Sequence, residues 1–141
     1  MMRRVLALLM LTLTLGVACG GEEGEESERE AAGQPCATAP AALSGETGLP
    51  ADFPQPDEVT YTSSEAAGPS TVVEGYWDGE LEDAYEGYKD AFEQAGYDVT
   101  KDEQEEVDAE VNFAGGGTDG HVKLVQECQD RTSVSITARP E

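Results

Sequence analysis

The 141-residue chain predicts an α+β fold, with one amphipathic helix packed on an antiparallel sheet of five or six strands. Three observations carry this. Two short runs rich in β-branched and aromatic residues flank Gly68-Pro69. Apolar residues then recur at i, i+3, i+4 and i+7 from Leu81 to Ala95. Finally, three stretches alternate apolar and polar residues with period two.

The elements follow in the order β-β-α-β-β-β-β. "LPADFPQPDE" is an irregular entry bracketed by Pro50, Pro54 and Pro56, with Phe53 as its anchor. "EVTYTS" and "STVVEGYWD" are the first two strands. Asp78 and Gly79 open the helix, and Glu80, Glu82 and Asp83 fall where the macrodipole favours acids. Leu81, Ala84, Tyr85, Tyr88, Ala91, Phe92 and Ala95 form its apolar stripe, and Gly96 ends it. A short strand at "YDVT" follows. Val107, Ala109, Val111 and Phe113 then share one face, as do Val122, Leu124 and Cys128, and Val134, Ile136 and Ala138. Placing Phe113 opposite Val122 and Val111 opposite Leu124 sets Asp108 against Glu127 on the solvent face.

The N-terminus reads differently. Arg3 and Arg4 precede an apolar run, Val5 to Ala18, that is shorter than the roughly 20 residues a membrane span takes. A positive start, a short apolar run and small residues at its end make a secretory signal peptide over residues 1–18. Leu15-Gly16-Val17-Ala18-Cys19 resembles the lipobox of bacterial lipoproteins. That resemblance implies cleavage before Cys19, acylation of Cys19, and attachment to the membrane of the bacterial envelope. The class favours leucine three residues before the cysteine, where this chain has Gly16. Gly16-Val17-Ala18 also suits ordinary signal peptidase. The acidic run beyond Cys19 is similar to the surface-export signals of some outer-membrane lipoproteins, and Gly20 stands where aspartate would resemble an inner-membrane retention signal. The outer membrane or cell surface is the implied address.

Cysteine parity points the same way. An odd count in an exported chain leaves one thiol over, and lipidation of Cys19 leaves Cys36 and Cys128 to pair in an oxidising compartment. Residues 19–42 hold six glutamates and almost no large apolar side chain, which predicts a disordered acidic tether. Residues 43–141 make up the small folded domain.

Charge restricts the partners. The chain has 30 acidic residues against 8 basic ones, and two of the basic ones are Arg3 and Arg4. A field this negative disfavours nucleic acid and anionic lipid headgroups. It leaves an envelope protein or a cation as the partner, or no specific partner where acidity serves solubility or salt adaptation.

No motif brings a reaction. "GGGTDG" matches G-x-G-x-x-G, but the alternating "HVKLVQEC" follows it where a dinucleotide site needs a helix, so it reads as a hairpin loop. His121 is the only histidine, and Ser133 and Ser135 lie on a strand without a nucleophile elbow. "DEQEEVDAE" lacks EF-hand spacing and reads as a solvated acidic face. No cofactor is implied, and the metal candidates reduce to Asp108, Glu110 and Glu127. Of the adjacent aromatics Tyr76 and Trp77, a strand buries one and exposes the other as a candidate ligand contact. The resulting expectation is a non-enzymatic, lipid-anchored binding or accessory module. The alternatives are a small envelope hydrolase and an acidic spacer or cation-binding surface protein.

Overall fold

The computed structural model describes residues 22–141; the signal-like segment and Cys19 lie outside the described residues. The elements are α1 (Glu22–Ala32), β1 (Val59–Ala67), β2 (Ser70–Asp78), α2 (Leu81–Gln94), β3 (Asp98–Gln104), β4 (Asp108–Gly115), β5 (Thr118–Cys128) and β6 (Arg131–Pro140). The six strands form one antiparallel sheet in the order β1-β2-β6-β5-β4-β3. The chain thus builds a hairpin, crosses the sheet with α2, and returns through a meander whose last strand fits between β2 and β5.

α2 covers one face. Its buried stripe is Leu81, Ala84, Tyr85, Tyr88 and Phe92, which meets Val73, Val111, Phe113, Val122, Leu124, Val134 and Ile136 from the sheet. Phe92 stacks on Phe113 at 4.6 Å between ring centroids. The helix ends as the sequence indicates. Gly96, at φ 78°, follows the last turn, the Tyr97 N–H bonds the Phe92 carbonyl at 2.9 Å, and the two rings sit 5.7 Å apart. That pairing of a 6→1 bond with an apolar contact satisfies carbonyls the helix leaves open. The start is less local. Glu80 makes no side-chain cap; instead Gln126 of β5 accepts a bond from the Leu81 N–H at 2.6 Å.

Glycines make two close approaches. A Cβ on Gly87 would lie 2.3 Å from Trp77 Cη2, so the tip of the indole occupies the space a helix side chain would take. In "GGGTDG", Gly116 and Gly117 have φ of 60° and 73° and make the two-residue turn between β4 and β5, as a type I′ hairpin requires.

Two expectations are corrected. Residues 22–32 form α1 rather than a disordered stretch. Its Glu and Ala residues are good helix formers, Arg29 pairs with Glu106 at 3.0 Å, and the chain just after it is fastened to the body. Gln129 bonds the Gln34 carbonyl through its backbone at 2.9 Å and the Gly33 carbonyl through its side chain at 3.0 Å. The β4–β5 register is also shifted by two residues. Val111 faces Val122, Ala109 faces Leu124, and Phe113 faces Gly120. A Cβ at Gly120 would sit 1.9 Å from the Thr137 carbonyl oxygen of β6 and 3.0 Å from Phe113 Cζ, so the adjacent backbone and the ring together leave no space for a side chain.

Candidate functional site

The N-terminal segment is fixed by covalent and polar ties. Cys36 and Cys128 form a disulfide, with Cα atoms 5.1 Å apart. Arg131, almost fully buried, donates to the Ala37 carbonyl at 3.0 Å and pairs with Glu127 at 3.2 Å. Its guanidinium also lies over the Tyr76 ring, 5.8 Å from the centroid. Tyr76 is therefore the exposed-face aromatic, and Trp77 is the core one, 5% exposed and packed near Tyr88.

The remaining sequence candidates do not converge. His121 stands opposite Asn112 and Thr137 on the helix-free face. The Ser133 hydroxyl donates to the Val125 carbonyl and that of Ser135 to Glu74. Asp108 faces Val125, not Glu127, and Glu110 faces Lys123. Glu127 is taken by Arg131. No group of three or more His, Cys, Asp or Glu side chains among the described residues is arranged to hold a metal ion.

The carboxylate run is split by the fold. Asp102 lies in β3, on the side facing α2, and accepts a bond from the Tyr85 hydroxyl. Lys89 reaches the same carboxylate at 3.2 Å and lies 4.6 Å from the Tyr85 ring centroid. The Tyr85 hydroxyl bond, followed by the Lys89 contact, holds the Asp102 carboxyl below its usual range. The trio staples an edge strand to the helix. On the opposite flank of α2, Asp57, Glu58, Asp78, Asp83, Glu86 and Asp90 line a groove floored by Trp77.

A second cleft, of about 370 Å³, lies beneath residues 44–58, which strap the β1 edge. The strap is tied by the Leu43 N–H to the Tyr61 carbonyl at 2.7 Å, by the Ser64 hydroxyl to the Thr47 carbonyl, and by Phe53. The Phe53 ring enters the core 5.3 Å from Phe113 and 5.7 Å from Phe92. Leu49, Pro50 and Phe53 form one side of the cleft, and Tyr61 forms the other. The hydroxyls of Tyr61 and Tyr88 are buried and find no hydrogen-bond partner among the described residues. The two hydroxyls adjoin, and their contact lowers the Tyr61 value while raising that of Tyr88. Burial pushes the Tyr61 phenol up to about 12 and that of Tyr88 well above its ordinary value. Sequence reasoning placed Tyr88 on the apolar stripe of the helix and gave Tyr61 no role beyond its strand. The available signal was tyrosine rather than phenylalanine at inward-facing positions.

No family model, curated protein or solved structure matches the chain. The functional reading therefore rests on its own residues.

Proposed function

We propose that this is an exported, lipid-anchored envelope protein whose α+β domain acts as a non-enzymatic binding or accessory module. The observation that carries the reading is the Cys36–Cys128 disulfide. It suits an oxidising compartment, and it uses two of the three cysteines. The third is Cys19, at the border where the lipobox-like stretch meets the acidic segment. Positive Arg3 and Arg4 ahead of the short apolar run support export. No helix among the described residues is long and apolar enough to cross a membrane, so an acyl chain on Cys19 is the attachment the sequence offers. The 11 residues of α1 begin three positions after Cys19. At 1.5 Å per residue they rise only about 16 Å before the chain is pinned at Cys36. Such an anchor holds the β5–β6 end of the domain nearest the membrane.

The test is the intact mass of protein extracted from membranes with detergent. The expected product begins at Cys19 and carries acyl mass. A water-soluble product with an unmodified N-terminus overturns the anchor.

A further inference from the structure

We propose that the groove floored by Trp77 binds a lysine- or arginine-rich segment of a partner protein, lying extended along α2 with a backbone carbonyl on the Trp77 indole N–H. The proposal rests on the binding-module reading and supplies its site and partner class. The groove has a volume of about 660 Å³. Six of its twelve lining residues are acidic and none is basic, against 30 acids in 141 residues for the whole chain. Lys89 reaches Glu86 at 3.7 Å but is also held by Asp102 on the far flank of the helix, at 3.2 Å. The other five carboxylates form no ion pair among the described residues. The charge of the groove is therefore not met within the fold.

Carboxylates alone would serve any cation, and the indole makes the groove more selective. Trp77 is 5% exposed and lines the groove. Its N–H donates to no side chain or backbone group among the described residues. A Cβ at Gly79 would stand 3.1 Å from Trp77 Nε1 and 4.0 Å from Asp83 Oδ2. Glycine leaves that space empty, so a ligand oxygen can reach the N–H beside the Asp83 carboxylate. A donor at the floor and carboxylates at the rim call for an acceptor flanked by cations, which a basic peptide carries and a bare metal ion does not. The length agrees. From Asp83 to Asp90, α2 rises about 10 Å, the span of about three residues of extended chain. Successive side chains of such a chain point to opposite sides. One set of basic residues then meets Asp83, Glu86 and Asp90 of α2, and the other meets Asp57 and Glu58 across the groove.

The probe is N-acetyl-tetralysine amide, titrated at low salt into the detergent-extracted protein and followed by calorimetry. Spermine, which has four amines and no carbonyl, is the control for charge alone. Trp77 is the only tryptophan, so the single indole N–H resonance of isotope-labelled protein reports the floor of the groove. The expected result is saturable binding of the peptide with a downfield shift of that resonance, and weaker binding of spermine without it. Peptide binding should vanish in 1 M sodium chloride, where the Debye length falls to about 3 Å. Asp57→Asn with Asp83→Asn should bind the peptide about tenfold more weakly, the loss of two exposed ion pairs. Glu25→Gln with Glu26→Gln removes the same charge from exposed positions on α1 and should bind as wild type does. The proposal is overturned if the peptide gives no saturable binding, if spermine binds as tightly and moves the indole resonance equally, or if both double variants lose affinity alike. Any of these results, with the acyl mass at Cys19 intact, sinks the groove and leaves the anchor standing.

Discussion

The body of the molecule and the segment that precedes it are held by different forces. From Val59 to Pro140 the chain buries a continuous apolar core between α2 and the sheet, with Tyr88, Phe92, Phe113, Leu124 and Ile136 fully enclosed. From Gly24 to Glu58 only Phe53 is buried. Attachment there depends on one disulfide, the Gln129, Arg131, Leu43 and Ser64 hydrogen bonds, and the Arg29–Glu106 pair. The body is stable because its side chains fit one another. The segment is placed because a few distant residues hold its backbone. Cutting one tie should therefore loosen the segment without melting the body.

The largest expected effect comes from the disulfide, which spans a sequence separation of 92. Cys36→Ser with Cys128→Ser should cost about 2–4 kcal/mol, the usual range for a native bridge. The loss should appear as amide exchange that accelerates more over residues 33–58 than in α2. Equal loss of protection in α2 would show that segment and body unfold as one unit, and the contrast drawn above would fail.

The same contrast explains what the sequence disclosed. Period-two and helical patterns report on burial, so the strands, the α2 stripe and the Gly96 stop were legible. The Cys36–Cys128 pairing followed from parity. The helical α1 was hidden because its anchors, Gln129 and Glu106, are remote in sequence. The β4–β5 register was misread because Gly120 looked like loop, although it is a strand position pressed between the β6 backbone and Phe113. The cap on α2 from Gln126, and the roles of Tyr85 and Tyr88, depend on side-chain reach across the fold. Three residues apart on one helix, Tyr85 finds Asp102 and Tyr88 finds only Tyr61.

The Tyr85–Lys89–Asp102 staple is a polar tie within the body, and breaking it sharpens the comparison at intermediate size. Asp102 is held below its ordinary 3.8, first by the Tyr85 hydroxyl and then by Lys89. Its stabilising contribution is present above pH 3.8 and is lost as pH falls through the lowered folded value. Tyr85 and Lys89 are raised above 10.0 and 10.5, in each case chiefly by the bond to Asp102. Their contribution is complete below those values and is lost as pH rises through the raised ones. Asp102→Asn should lower the melting temperature at pH 7, by less than disulfide removal does. Its deficit should narrow as wild type is taken below pH 3.8 in parallel melting curves. A deficit independent of pH would mean the staple acts through packing alone.

The smallest effects test whether surface charge acts through position or only through total. Glu86 and Asp90 are four residues apart on α2, and both line the acidic groove. Like charges at that spacing destabilise a helix by about 0.2–0.5 kcal/mol. Asp90 also sits in the second half of α2, towards the end where the macrodipole opposes an acid. Asp90→Asn should therefore stabilise the protein by about that amount at low salt. The gain should disappear in 1 M sodium chloride, where the Debye length falls to about 3 Å. Across the sheet the neighbours oppose each other. Glu110 faces Lys123 on β5 and Glu103 on β3, so Glu110→Gln should change stability by less than the roughly 0.2–1 kcal/mol of a single cross-strand pair. Asp108 faces Val125, and Asp108→Asn should change little at any salt. Melting curves of the three variants at 0.01 M and 1 M salt separate the cases. If all three shift together, the acids act only through net charge, and the register assigns them no individual role.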